Sequence, residues 1–175
     1  METNQNGKFS VDLDLPYPPV QPETHRKEYA YAMLSNVGSD NSEMSAVSLY
    51  FYNSILLSPQ HAAFARCFHQ ISIVEMHHLD IFASFAHQMG LDPRLWSVQG
   101  GRSHYWTPAY NRYPQQLPAL LQNAIQGELA AIGKYRLQAE TIQDANIVAN
   151  LQRIIQDEEH HVRLFRSMLA EVAET

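Results

Sequence analysis

The chain has 175 residues, of which 45% are hydrophobic and 17% charged, and its formal net charge is −6. This length suits one domain, and the acidic balance argues against a nucleic-acid backbone or an anionic membrane as the partner. The single cysteine cannot build a disulfide framework and suits a reducing compartment. Because the first residues are polar and no apolar run could cross a bilayer, we expect a cytoplasmic protein.

The first 22 residues are set apart by proline. The stretch PYPPVQP places four prolines in seven residues, which favours an extended backbone over a helix. We therefore predict an extended N-terminal arm over residues 1–22, either laid on the domain or mobile, followed by one folded domain over residues 23–175.

The rest of the chain has the periodicity of helices, and no segment alternates convincingly as a strand does. A glycine- and proline-rich connection over residues 90–114 lacks that period and has the length of a crossover along a bundle. The predicted fold is therefore all-α, a four-helix bundle with a long crossover between its second and third long helices. The predicted helices are a short one over about 24–36, one that follows Asp40 and runs to about Leu57, one from about Gln60 to Met89, one that starts near Gln115 and one that starts near Asp144.

Two of the long helices carry the motif Glu-x-x-His inside their apolar stripe. In the second, the apolar series passes through Glu75 and His78, and in the fourth it passes through Glu158 and His161. Residues three apart lie one turn apart on the same helical face, so each pair can reach one point. A single such motif is weak evidence, but two in core register are strong evidence for a shared site.

Each of the other two long helices adds one acid and one tyrosine. Glu43 and Glu128 are followed seven residues later by Tyr50 and Tyr135, nearly two turns along the same face. Glu43 precedes the first motif by 32 residues and Glu128 precedes the second by 30. The sequence therefore predicts an internal repeat of two helix hairpins that brings four carboxylates and two imidazoles together in the middle of the bundle.

Four buried carboxylates need compensation, because an isolated buried charge is very costly. Two divalent cations would neutralise them, and neutral imidazoles would add nitrogen ligands without changing the charge. Carboxylates shared by two metals, with one histidine for each, suit iron or manganese better than zinc. The predicted cofactors are two Fe or Mn ions, held by Glu43, Glu75, His78, Glu128, Glu158 and His161.

Simpler interpretations exist for the first acid and for the tyrosines. Glu43 could complete a capping box with Asp40 at the start of its helix. Tyr50 and Tyr135 could be ordinary core aromatics; in the sharper interpretation, each hydroxyl holds a ligand carboxylate from outside the metal's own ligand set.

Several other polar residues admit two interpretations. Asp157 could orient a ligand histidine from the neighbouring helix, or it could be a solvated acid. His77 and His160 are rotated about 100° from the ligand face, so we expect them at the side of the bundle or in solvent. Met89 and Met168 are more often core residues than haem ligands, and we predict no haem.

The ligand pattern resembles the ferritin-like di-metal carboxylate superfamily. Two symmetric Glu-x-x-His motifs are closer to its rubrerythrin, bacterioferritin and manganese-catalase branches than to ferritin, and PYPPVQP with IVEMHHLDI also resembles manganese-catalase-like spore-coat proteins. Ala131 stands where rubrerythrins usually carry a second glutamate, and their four-cysteine domain is missing, so electrons would have to come from another protein.

The resemblance implies a di-metal oxidoreductase that acts on hydrogen peroxide or O₂ with peroxidase- or catalase-like chemistry at the centre itself. Two other functions stay open: a ferroxidase that feeds iron into a storage shell, and a structural, spore-coat-like protein whose metals only neutralise its acids. Peroxide or O₂ is the expected small-molecule partner, with a possible external electron donor and assembly into a dimer or larger homo-oligomer.

Overall fold

The computed structural model describes residues 9–11 and 13–173. One short and four long helices make up most of this part of the chain. In order they are α1 (Lys27–Gly38), α2 (Glu43–Leu57), α3 (Ala62–Gln88), α4 (Leu117–Thr141) and α5 (Ala145–Ala173). The all-α bundle prediction is confirmed, and the predicted helix ends differ from the observed ones by a few residues.

The four long helices form two antiparallel hairpins, α2 with α3 and α4 with α5, which meet mainly through α3 and α5. The long connection between the hairpins crosses the bundle, as predicted. Apolar side chains fill the interior on both sides of a polar middle layer. Met89 and Met168, predicted to be core residues, are 8% and 0% exposed within these two apolar clusters.

The connection contains a small antiparallel hairpin that the sequence analysis did not predict. Strand β1 (Trp96–Gln99) pairs with β2 (Arg102–Tyr105), and Gly100 and Gly101 in the turn both have positive φ. The dipeptide Gly-Gly between two short strands was the available signal. The hairpin packs closely on α1, since a side chain at Gly38 would place its Cβ 2.4 Å from the Trp96 backbone nitrogen.

The N-terminal arm lies along the bundle. Residues 1–8 and 12 are outside the described residues, but residues 13–22 run antiparallel to α5. Three α5 side chains spaced by four and three residues donate hydrogen bonds to arm carbonyls, so one helical face holds an extended backbone. The pairs are Asn146 with Gln21, Asn150 with Pro19 and Arg153 with Leu15.

The arm ends where α5 begins. The Asp144 carboxylate accepts the Ile147 backbone N–H at 3.1 Å and so caps α5, while its other oxygen accepts the backbone N–H groups of Glu23 and Thr24. No helix in the described ranges is both long and apolar enough to cross a membrane.

Candidate metal centre

All six predicted ligand residues lie together in the middle layer of the bundle. Each comes from the stripe of its helix that faces the core, and their relative exposures are 0–2%. The two imidazole rings, from α3 and α5, have centroids 6.4 Å apart. The helical register therefore brought the predicted residues to one place; their role as ligands stays a prediction.

The side chains divide into two overlapping groups whose donor atoms lie within 4.8 Å of one another. One group is Glu43, Glu75, His78 and Glu158, and the other is Glu75, Glu128, Glu158 and His161. Glu75 and Glu158 belong to both groups, whereas Glu43 and Glu128 each belong to one. Each group would offer a metal ion one histidine, one carboxylate of its own and two shared carboxylates.

The Nδ1 atom of each histidine points into the carboxylates. His78 Nδ1 lies 3.0 Å from Glu75 Oε2, 3.2 Å from Glu158 Oε1 and 4.0 Å from Glu43 Oε2. His161 Nδ1 lies 3.0 Å from Glu75 Oε1, 3.1 Å from Glu158 Oε2 and 3.6 Å from Glu128 Oε1.

The approach of three carboxylates to each histidine Nδ1 is better explained if these groups bind the same metal ion than if they form internal hydrogen bonds. A ring nitrogen carries either one proton or one lone pair, so it can serve only one of three carboxylates well. Glu75 Oε1 and Glu158 Oε1 are buried and accept no well-formed hydrogen bond within the described chain. Oxygen-rich donor sets with one imidazole each are suited to iron or manganese.

The two tyrosines hold the unshared carboxylates across the bundle. Tyr50 donates its hydroxyl hydrogen to Glu128 Oε1 at 2.5 Å, and Tyr135 donates to Glu43 Oε1 in a very short contact. Each tyrosine thus serves the glutamate of the other hairpin rather than the one on its own helix. Burial and the neighbouring carboxylates raise both tyrosine pKa values well above 10, which keeps the hydroxyls protonated as donors.

Without cations, Glu43 and Glu128 favour protons, whereas the contacts of Glu75 with His161 and His78 outweigh its burial and the charge of Glu128 and lower its pKa. Burial and the charge of Glu158 raise the pKa of Glu128 to about 7, and the same causes raise the pKa of Glu43 well above its ordinary value. Burial opposes charge on His78 and His161, but the charges of Glu158 and Glu75 outweigh it and raise both imidazole pKa values well above 6.5. Metal ions would therefore have to compete with protons for this cluster.

Asp157 lies behind His78, and its role in orienting that histidine stays a prediction. Its Oδ2 is 3.2 Å from His78 Nε2, on the side of the ring away from the carboxylates. Two residues that the sequence analysis missed complete this contact: Tyr17 donates to Asp157 Oδ2 at 2.6 Å, and Arg153 lies 2.6 Å from Asp157 Oδ1. The available signal was the spacing of Asn146, Asn150, Arg153 and Asp157, a second polar stripe on α5.

The contacts of three other polar residues distinguish between their alternative interpretations. The residue before α2 is Ser42, and Asp40 instead accepts the Asn41 backbone N–H, so the capping box with Glu43 does not form. His77 is exposed and packs edge-on against Tyr17 at 4.5 Å. His160 lies at the side of the bundle and contacts the Ser10 carbonyl at 2.8 Å. Neither histidine belongs to the two donor groups.

A cavity of about 330 Å³ opens between α2 and α4 and reaches the centre from the side opposite the arm's contact with His78. Three of the buried acids line it, together with small residues of α4. The lining includes Glu43, Glu128, Glu158, Gly127, Ala130 and Ala131, with Tyr110 and Asn111 from the connection. The cavity gives a small molecule a path to the carboxylates.

Comparison with known proteins agrees with this architecture. The sequence model of the rubrerythrin family matches residues 39–169. Two crystal structures of KatB, a manganese catalase from Anabaena, have the same fold. One has a TM-score of 0.78 at 18% identity over 94% of this chain and 81% of that chain. The other, of the wild-type protein, has a TM-score of 0.73 at 17% identity over 99% and 81%.

No curated protein sequence gives a significant match. The family match covers both hairpins and all six residues of the candidate centre, and the fold is that of a ferritin-like bundle. The chain therefore belongs to the rubrerythrin family of the ferritin-like superfamily.

Proposed function

We propose that this protein is a di-metal oxidoreductase that acts on hydrogen peroxide, with iron or manganese held by Glu43, Glu75, His78, Glu128, Glu158 and His161. The observation that carries the proposal is the pair of overlapping donor groups, fully buried yet reached by a cavity. The family, and the manganese-catalase fold of the structural neighbours, support peroxide as the substrate.

When bound, a pair of redox-active ions supplies the electrons that cleavage of an O–O bond requires. The protein's own residues supply position and access. Glu75 and Glu158 would contribute to both metal positions, while Tyr50 and Tyr135 fix the unshared carboxylates by donating to one oxygen of each. Because a tyrosine holds one oxygen of each, the orientation of both unshared carboxylates is fixed before a metal ion binds, so the proposed ligand set is preorganised.

The cavity admits the substrate from the side of α2 and α4. On the opposite side, the arm and Asp157 cover His78, which is 0% exposed. Hydrogen peroxide is little larger than water, whose share of liquid volume is about 30 Å³, so the cavity accommodates it together with the water that carries protons. Reduction of one peroxide consumes two electrons and two protons and releases two water molecules.

An oxygen-electrode assay on Mn- or Fe-loaded protein tests the proposal. A catalase-like reaction releases one O₂ for every two peroxide molecules without an added reductant. A peroxidase reaction consumes peroxide only when an electron donor is present and releases no O₂. Protein that holds two metal ions but catalyses neither the catalase-like nor the peroxidase reaction contradicts the proposal and favours a structural role.

The cavity offers a sharper test in the substitution Ala131→Leu. The larger side chain enters the space in front of the carboxylates without replacing a proposed ligand, so kcat/KM for peroxide should fall at least severalfold at unchanged metal content. Gly133→Leu, two residues further along α4, is the matched control because a Cβ at Gly133 meets nothing within 4 Å. Equal activity of the two variants would exclude this route.

We also propose assembly into a dimer or larger homo-oligomer, supported by large apolar side chains on the outer faces of α2 and α3. Phe51 and Ile55 lie one turn apart on α2 and are 58% and 62% exposed, and Met76 on α3 is 50% exposed. Light scattering after size-exclusion chromatography should give a mass at least twice the chain's 20.0 kDa. A monomer would contradict this.

A further inference from the structure

The two histidines of the candidate centre differ in what lies behind them. Behind His78, the arm residue Tyr17 sits between the α5 side chains Arg153 and Asp157. The Arg153 guanidinium carbon lies 4.3 Å from the centroid of the Tyr17 ring, and the Tyr17 hydroxyl lies 3.3 Å from His78 Nε2. The arm therefore extends to the back of one proposed metal ligand.

The hydrogen bonds around Asp157 assign the protons. Asp157 Oδ2 is closest to the Tyr17 hydroxyl, at 2.6 Å, so the hydroxyl donates to this oxygen rather than to His78. The same oxygen then accepts the Nε2–H of His78 at 3.2 Å, while Arg153 holds Oδ1. With its proton at Nε2, His78 directs the Nδ1 lone pair at Glu43, Glu75 and Glu158.

The arm backbone before and after Tyr17 is hydrogen-bonded to α5, which holds Tyr17 beside Asp157. Two residues before it, the Leu15 carbonyl accepts from Arg153, and two residues after it, the Pro19 carbonyl accepts from Asn150. The Tyr17 ring also packs edge-on against His77. The hydroxyl is therefore held at Asp157 by a docked segment of chain rather than by a mobile side chain.

Behind His161 no such arrangement exists in the described part of the chain. His161 Nε2 is buried and has no hydrogen-bond partner there. The position of the repeat that Asp157 occupies, one residue before the shared glutamate, is held in the other hairpin by the apolar residue Val74. To direct Nδ1 at a metal, His161 must bury an unpaired N–H at Nε2, which disfavours that arrangement.

We propose that Tyr17 is a positioning residue that acts through Asp157 to make the His78 position bind its metal ion more tightly than the His161 position. The inference rests on the di-metal centre of the proposed function, but not on the reaction. Partners of this kind, placed behind a histidine ligand, fix the ring's tautomer and orientation, and their removal typically costs about 10- to 100-fold in metal affinity.

Titration of the metal-free protein with Mn²⁺, followed by calorimetry and by the loss of the electron paramagnetic resonance signal of free Mn²⁺, tests the proposal. The wild type should bind two ions in two resolved steps. Tyr17→Phe keeps the ring and the docked arm but removes the hydroxyl, so it should weaken the tighter step by about 10-fold and the weaker step by less than about 2-fold. Asp157→Asn should weaken the same step by at least as much.

Tyr29→Phe is the matched control. Tyr29 is a buried tyrosine of α1 whose hydroxyl accepts the Gln143 backbone N–H at 3.0 Å, away from the centre. Its loss should leave both steps unchanged. Equal affinities of the two ions in the wild type, an unchanged tighter step in Tyr17→Phe, or equal weakening of both steps would each overturn the inference while leaving the di-metal centre in place. A wild type that binds no Mn²⁺ would overturn both.

Discussion

His78 and His161 occupy equivalent places in the two hairpins, yet their surroundings beyond the carboxylates are different. Both direct Nδ1 at one unshared and two shared glutamates, and both unshared glutamates accept a tyrosine hydroxyl from the opposite hairpin. Among the described residues, only His78 has an acid behind Nε2, and only there does the N-terminal arm reach the centre. A repeated helix pair thus gives a nearly symmetric set of candidate ligands, and a segment present once breaks that symmetry.

The shared glutamates should matter most to metal content, because each contributes to both positions. We expect Glu75→Gln to reduce the metal content from about two ions per chain to less than one. Glu43→Gln should lose only the ion at the His78 position and keep about one ion. Elemental analysis after identical metal loading gives the comparison. Equal metal content in the two variants would contradict the division into shared and unshared carboxylates.

The pH dependence of folding should show how the cluster behaves without metal. Glu43, Glu128, His78 and His161 all have raised pKa values in the folded protein, so the folded state binds their protons more tightly than the unfolded state does. Such a group stabilises the fold fully below its ordinary pKa, and this stabilisation disappears as the pH rises through the folded value.

The free energy of unfolding of the metal-free protein should therefore fall from about pH 4.5 through the Glu128 pKa of about 7 and continue to fall as the histidines lose their protons. Bound metal should reduce this slope, because the ions replace the protons and their affinity increases with pH. Urea denaturation at several pH values, with and without metal, measures both. Metal-free stability that rises over the same range would contradict the cluster's proton uptake.

Substitutions of the two tyrosines should have smaller effects on stability, similar to each other, because both halves of the bundle contain the same contact between a tyrosine and an unshared carboxylate. Tyr50→Phe and Tyr135→Phe each remove one donor to a buried carboxyl group, and we expect each to lower the free energy of unfolding by about 1–2 kcal/mol. Denaturant unfolding of the metal-free variants checks this, with Tyr29→Phe as a reference for a buried tyrosine far from the centre. A loss confined to one of the two variants would show that the halves differ here as well.

Sequence periodicity accounts for the parts of the site that lie on helices. Because an α-helix fixes which residues share a face, the register alone brought Glu75, His78, Glu158 and His161 to one layer, and Asp157 could be placed beside it. The bundle and its crossover followed from the same periodicity and from the length of the connection.

The sequence contains no comparable periodic signal for contacts that irregular segments make. Tyr17 lies 61 residues from His78 and 140 from Asp157, in a proline-rich arm whose direction no period specifies. The cavity in front of the centre depends on how far α2 and α4 stand apart, and the small residues Gly127 and Ala131 reveal it only once that packing is known. The Gly-Gly turn of the small hairpin was visible in the sequence, but its flanking strands are too short to show clear alternation.

The most direct test of the central claim is elemental analysis of the protein after expression with both iron and manganese supplied. Two overlapping donor groups that share Glu75 and Glu158 predict about two Fe or Mn ions per chain. A protein that contains predominantly zinc, or no metal, would contradict the di-metal centre.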